Sequence, residues 1–274
     1  KDDDMTFAKE LAKLGDFYVN DAFGAAHRKH TSTAKLAMVL KPAVSGLLME
    51  KEIRCLSQAL NNPTRPFTAI VGGAKISTKI GVLENLIDKV DNLIIGGGMA
   101  YTFIKAQGGS IGNSICEDDQ QDTALAILKK AKEKNVNLLL PTDVLVTNDF
   151  SGNGENKVVE INNIPEGFEG VDAGIKTQEV FSKVIKESKT ILMNGPVGAF
   201  ENPKFANGTK AVLEAVVDAT KNGAISVIGG GDSVSAAKKF ANSEDFTHVS
   251  TGGGASLEFI EGKVLPGVDA LDEQ

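Results

Sequence analysis

Positive charge is scarce in this chain. Lysine and arginine number 29 against 36 aspartate and glutamate, giving a net charge of −7 and an isoelectric point near 5.1. No basic stripe is left to displace counterions from a phosphate polymer, which argues against nucleic-acid binding. Cysteine is scarcer still. Cys55 and Cys116 are unframed thiols, so there is no disulfide scaffold and a reducing compartment fits best. No apolar run reaches the length of a membrane span, and no signal-peptide pattern opens the sequence. Internal repeats and low-complexity tracts are absent, and charges are spread over helix faces rather than blocked. No G-x-x-x-x-G-K-[ST] string occurs, which excludes a Walker-type phosphate loop. His27 and His30 share a His-x-x-His spacing, but no further ligand cluster accompanies them to make a metal centre. What remains is 274 residues, 42% of them hydrophobic, enough to bury a substantial core in one large or two unequal domains.

Glycine, by contrast, is abundant and placed with regularity. Five turns stand out: Gly72-Gly73-Ala74-Lys75, Gly96-Gly97-Gly98, Asn194-Gly195-Pro196-Val197-Gly198, Gly229-Gly230-Gly231-Asp232-Ser233 and Thr251-Gly252-Gly253-Gly254-Ala255-Ser256. Four directly follow a short apolar run that reads as a strand, and most precede an amphipathic helical stretch. Bare amides and helix N-termini therefore gather at one rim of a sheet, where phosphate oxygens are the expected guests. Steric need alone also puts glycine at strand-to-helix turns. A dinucleotide-binding oxidoreductase is the alternative, but its fingerprint needs a third small residue. Val234, Leu257 and Tyr101 occupy that position after the three candidate glycine pairs.

The expected strands are Asp16 to Phe23, Phe67 to Val71, Asn92 to Ile95, Val136 to Leu140, Thr190 to Met193, Ala224 to Ile228 and Phe246 to Ser250. Those after Pro66 are nearly continuously apolar, as in strands covered by helices on both faces, and predict an α/β fold with a doubly wound, Rossmann-like parallel sheet. A helix over Ser45 to Leu60 stops at Asn61-Asn62-Pro63 and reads as a connector between domains. A short hairpin arm is expected at Val158 to Ile161. The resulting division is 1–44, part of a second α/β domain; 45–62, the interdomain helix; 63–262, the nucleotide-binding domain; and 263–274, a tail packing back toward the N-terminal portion. The Asp2-Asp3-Asp4 opening runs directly into helical periodicity at Phe7, Leu11 and Leu14, as in a fragment that begins inside a domain.

Lysines supply the chemistry for such a rim. Lys75 and Lys79 are four residues apart, so both ammonium groups can face one anion, although a lysine at a helix start is otherwise a solvated charge opposing the macrodipole. Asp232 can hold Mg²⁺ against phosphate oxygens or serve as a helix N-cap. His27-Arg28-Lys29-His30 reads, without further context, as a solvated basic turn.

Taken in order, Asn194 to Glu201, Gly229 to Ser233 and Thr251 to Glu258 closely resemble phosphoglycerate kinase. Gly72 to Lys79, Gly96 to Ala100, Asp21 to Gly24 with His27-Arg28, and Leu265 to Val268 extend the resemblance over essentially the whole chain. It implies a phosphotransferase with a carboxyl group as acceptor. The reaction would be reversible, Mg²⁺-dependent phosphoryl transfer from 1,3-bisphosphoglycerate to ADP, giving 3-phosphoglycerate and ATP, in a monomeric cytoplasmic enzyme of glycolysis. By the same resemblance Gly73, Ala74, Gly97, Gly170, Val171 and Gly198 would enclose adenine, with Asn194, Pro196 and Glu201 around the ribose. Lys79 would grip the inner phosphates, Gly229, Gly230 and Ser233 would belong to the phosphate turn, and Asp232 would carry Mg²⁺. The family usually has threonine where Ser233 stands, which keeps the hydroxyl. Lys75 would meet the moving phosphoryl group, with the amides of Gly231, Gly253 and Gly254 opposite it, and Arg28 with His27 would hold the glycerate.

The resemblance also implies that roughly the first third of the family's chain, most of an N-terminal domain, precedes Lys1. Without the arginine normally supplied there, transfer is expected to fall by on the order of 10³ or more. The chain alone would then bind nucleotide but transfer poorly, the alternative being a non-catalytic nucleotide-binding module. The strand at Asp16 to Phe23 would lose its sheet neighbours, leaving an apolar edge that is mobile or borrowed into a partner. The helix over Ser45 to Leu60 would sit at a hinge between domains that close on their substrates.

Overall fold

The computed structural model describes residues 4–272. Asp2 and Asp3 of the acidic opening, and Glu273 and Gln274 of the tail, lie outside the described residues.

Helix α1 (Met5–Ala12) starts where the Asp4 side chain accepts from the Phe7 amide at 3.0 Å. Strand β1 (Tyr18–Asn20) and helix α2 (Leu36–Val39) follow, then β2 (Ala43–Ser45) and the long α3 (Leu47–Asn61). The β1 strand keeps a neighbour, contrary to the sequence expectation: it pairs in parallel with β2, Tyr18 opposite Ala43. That pairing also moves the start of α3. Ser45 belongs to β2, Gly46 is the extended N-cap, and the Asp21 carboxylate accepts from the Met49 amide at 2.9 Å. Leu47 is exposed, whereas Met49, Leu56, Ala59 and Leu60 are buried.

Beyond Pro66 come β3 (Phe67–Val71), α4 (Ile80–Ile87), β4 (Asn92–Ile95), α5 (Met99–Ala106), β5 (Ser110–Ile111), α6 (Gln121–Glu133) and β6 (Asn137–Leu139). Next are β7 (Asp143–Thr147), β8 (Asn156–Glu160), β9 (Asn163–Ile164), β10 (Glu169–Ala173) and α7 (Ile175–Glu187). The chain continues through β11 (Thr190–Asn194), α8 (Asn207–Lys221), β12 (Ile225–Gly229), α9 (Gly231–Phe240), β13 (His248–Val249), α10 (Gly254–Ile260) and α11 (Pro266–Asp269).

The main sheet has six parallel strands in the order β13-β12-β11-β3-β4-β6. Every residue of β3 and β11 is buried, because helices cover both faces of the sheet. One core, containing Phe67, Leu83, Phe103 and Leu192, lies on one face, and another, containing Ile70, Phe181, Met193 and Val216, lies on the other. The chain winds outward from β3 through β4 to β6, then returns to β11 on the opposite side of β3. The β3–β11 junction is therefore the topological switch point, where ligands of open α/β sheets bind.

The expected hairpin arm proves to be part of a larger structure. β8 pairs antiparallel with β7, and β7 with β10, in a three-stranded sheet. The tail returns to the N-terminal portion: the Gly267 amide donates to Ala26 O at 2.8 Å, the Asn20 side-chain amide donates to Gly267 O at 2.9 Å, and the Asp272 carboxylate accepts from the Ala43 amide at 2.8 Å.

Candidate functional site

All five glycine turns leave the C-terminal ends of strands of the one parallel sheet. At the switch point the backbones touch. A Cβ on Gly72 would stand 2.0 Å from Pro196 O, and one on Gly195 would stand 2.1 Å from Gly72 O. Only glycine permits this approach, which brings the turns after β3 and β11 into one floor.

On one side of that floor is a cavity of about 380 Å³ lined by Gly72 to Lys75, Thr78, Lys79, Gly195, Gly230 to Ser233 and Leu257. Lys75 and Lys79 thus meet at one site, held by a 3₁₀ turn over Ile76–Thr78. Glu117 clamps that turn, accepting from the Ser77 amide at 3.0 Å and from its hydroxyl. Lys75 is exposed. Lys79 is half-buried with its ammonium donating to Asn194 Oδ1. Burial pulls its pKa down, while the Asp232 and Glu261 carboxylates pull it up, for a net lowering. Asn194 is fully buried, and its Nδ2 has no hydrogen-bond partner.

Opposite the lysines, α9 begins. Its N-cap is Gly230 at φ +85°, a left-handed conformation that favours glycine. Asp232 is therefore not the N-cap; it lies exposed in the first turn, with its carboxylate at the positive end of the helix. Ser233 is buried, and its hydroxyl accepts from the Gly195 amide, tying α9 to the β11 turn. Gly229 is the last residue of β12 and leads into this turn.

A second cavity of about 340 Å³ opens on the other side of the floor. Its walls bring together Gly73, Ala74, Gly97, Gly170, Val171, Pro196, Gly198, Glu201 and Asp232, and add Tyr101, Ile115, Phe150 and Glu169. These four escaped the sequence reading. Ile115 and Phe150 are isolated apolar residues in polar loops, both exposed, and that isolation was the available signal. Tyr101 had none: a Cβ on Gly170 would stand 2.0 Å from its hydroxyl, a contact made only by folding.

The third cavity, about 630 Å³, runs from Gly230 and Gly231 to Gly253 between α3 and α9. Beside it a buried network joins α3 to the last glycine turn. Glu52, wholly buried, accepts from the Thr251 amide at 2.6 Å and from the Ser250 and Thr251 hydroxyls at 2.8 Å each, and His248 Nε2 lies 2.8 Å from its Oε2. Burial pushes the Glu52 carboxyl up, but these hydrogen bonds outweigh it and its pKa is lowered. A glutamate within an amphipathic helix gives no sequence sign of this.

His27, Arg28 and Gly254 line none of these three cavities. They form the far end of the rim. A Cβ on Gly254 would stand 3.1 Å from His27 Nε2, and Arg28 Nε donates to that nitrogen at 3.3 Å. The Phe23 ring packs on Gly252, so the basic turn is docked onto the Thr251 to Gly254 segment.

Among the described residues no group of three or more His, Cys, Asp and Glu side chains is disposed to hold a metal ion. Asp232 alone faces the lysine-lined cavity. One carboxylate fits a Mg²⁺ carried largely by phosphate oxygens and water, not a cation caged by protein.

A doubly wound sheet whose switch point carries paired lysines, a helix N-terminus and a glycine-walled apolar slot defines an α/β protein suited to a phosphorylated ligand with a planar base. The phosphoglycerate kinase family model matches residues 1–263. Phosphoglycerate kinase from Coxiella burnetii is 46% identical, with a TM-score of 0.94 over 98% of this chain and 68% of that one. The enzyme from Pyrococcus horikoshii OT3 is 31% identical, with a TM-score of 0.83 over 99% of this chain and 69% of that one. The chain belongs to the phosphoglycerate kinase family, and so to the kinases of glycolysis.

Proposed function

We propose that the rim binds Mg-ADP and Mg-ATP and serves reversible phosphoryl transfer between 1,3-bisphosphoglycerate and ADP. The observation that carries this reading is the meeting of two complementary cavities at the β3–β11 junction: a glycine-walled, largely apolar slot and a cationic pocket sharing Gly73, Ala74 and Asp232. A purine fits between the Gly97 and Gly170-Val171 walls, with Pro196 and Glu201 toward the ribose. The phosphates then extend to Lys79 and the first amides of α9. Mg²⁺ at Asp232, when bound, would neutralise charge on the phosphate oxygens.

Lys75, exposed in the cationic pocket, would accompany the transferred group, joined by the amides of Gly231, which lines the same pocket, and of Gly253 in the third cavity. Pre-aimed cations and amides suit in-line transfer, which needs positioning and electrostatics rather than a protein nucleophile. Arg28 and His27, at the end of the rim, are the side chains proposed to meet the glycerate. Calorimetry with Mg-ADP, run beside a coupled transfer assay, tests the reading. Saturable 1:1 binding competed by Mg-ATP is expected, and absence of binding overturns it. A chain that instead saturates with NADH and ignores ADP would be an oxidoreductase.

A further inference from the structure

Asp172 is a buried carboxylate with no part in the transfer just described, yet it stands directly behind a wall of the apolar slot. It is 2% exposed. A Cβ on Gly198 would lie 2.1 Å from its Oδ1, so the Cα–H of Gly198 that faces Asp172 points away from the slot that Gly198 lines. Oδ2 accepts from the Gly208 amide at 2.8 Å. The carboxylate thereby caps α8, whose own N-cap, Ala206, offers no side-chain acceptor. One residue earlier, the Val171 carbonyl accepts from the Ala199 amide at 2.8 Å. Consecutive residues of β10 thus hold both ends of the segment from Gly198 to Gly208. Between them Lys239 donates to Phe200 O at 2.8 Å.

The arrangement is costly to keep, because Oδ1 is buried without a hydrogen-bond partner. Burial pushes the Asp172 carboxyl up to about 7, even though the Gly208, Ala173 and Asn207 amides pull it down. Tyr101 from α5 feels the Asp172 charge, and burial keeps its phenol neutral; Glu169, on Asp172's own strand, is also raised by burial.

We propose that Asp172 is a positioning residue for the nucleobase: its carboxylate, anchored on the first turn of α8, sets the Gly198 wall at the spacing a purine ring requires. The inference rests on reading the slot as the base site. It assigns Asp172 to recognition of the base and not of the phosphates, which bind at the lysine end.

The test compares Asp172→Asn, similar in shape and without charge, with the parent chain in titrations of adenosine, Mg-ADP and inorganic tripolyphosphate, with folding checked by circular dichroism. Adenosine and Mg-ADP are expected to bind about tenfold more weakly, the usual scale for loss of a hydrogen bond to a charged group, with tripolyphosphate within about twofold of the parent. A folded variant with unchanged adenosine affinity, or with equal losses for all three probes, overturns the proposal. Should Asp172→Asn not fold, Gly198→Ala replaces it. Its methyl meets the same carboxylate, and unchanged adenosine affinity is again the contrary result. In the parent chain, adenosine affinity should fall on acidification through the Asp172 titration, and Asp172→Asn should flatten that fall; a flat profile in the parent contradicts the proposal. If the parent binds tripolyphosphate but neither adenosine nor Mg-ADP, the base-site reading itself fails, an outcome distinct from the failure of Asp172 alone.

Discussion

At the scale of single residues, the site depends on a few side chains whose surroundings dictate their roles. Lys79 is half-buried and already tethered to Asn194, so its ammonium loses little freedom when an anion arrives. Lys79→Met keeps the aliphatic stem and removes the charge. We expect Mg-ADP affinity to fall by about 10- to 100-fold, on the scale of a lost charge-assisted hydrogen bond, with adenosine affinity unchanged, as read by calorimetry. Lys75, exposed and without such a tether, should behave differently: Lys75→Ala lowers kcat in the transfer assay far more than it weakens ADP binding. Gly72 has a structural role instead. A methyl there meets Pro196 backbone at 2.0 Å, and neither partner is a flexible side-chain end. Gly72→Ala should cost upward of about 2 kcal/mol in urea denaturation, and an unchanged midpoint would refute the close approach of the two turns.

At the scale of elements, the link that matters is between α3 and the turn after β13. Glu52 is the buried acceptor for three donors of that turn, with His248 alongside. Glu52→Gln leaves donors facing an amide, and should destabilise the chain by about 2–4 kcal/mol at neutral pH. The pH dependence has a definite sign. Because the folded-state pKa of Glu52 lies below its ordinary 4.5, its contribution is present above that value and is lost as pH falls through the lowered one. Asp172 works oppositely. Its folded pKa of about 7 exceeds the ordinary 3.8, so its contribution is most favourable in acid and is lost as pH rises through about 7. Chemical denaturation from pH 3 to 8 should therefore show a shallower acid limb for Glu52→Gln than for the parent. Identical limbs would remove Glu52 from the account.

At the scale of the molecule, the tail connects the chain's two portions. Gly267 and Asp272 hydrogen-bond to Ala26, Asn20 and Ala43, and Lys41 pairs with Asp272. Deleting residues 264–274 should raise amide exchange at Tyr18 and Gly46, which donate within the β1–β2 pair to Pro42 O and Asn20 O, and leave the amides of β3 and β11 protected. Uniform loss of protection would show instead that the tail supports the whole fold. Binding should also register globally. Mg-ADP at about 100 times its Kd stabilises the folded state by about 2.7 kcal/mol, a rise of several degrees in Tm.

The local sequence by itself pointed to the parallel sheet, because runs such as Phe67 to Val71 and Thr190 to Met193 are nearly continuously apolar and precede glycine turns. It also led to the expectation of an anion at the rim, since Lys75, Lys79 and the turn before Ser233 declare their chemistry over a few residues. Tertiary structure decided what depends on contacts across long stretches of chain. The pairing of β1 with β2 withdrew Ser45 from the helix, and β10 brought Asp172 behind Gly198. Glu52 reached a turn roughly 200 residues away in sequence. Short-range periodicity reports which face of an element is buried, whereas the partner of a buried polar group is chosen only when separate elements pack and must satisfy one another's donors and acceptors.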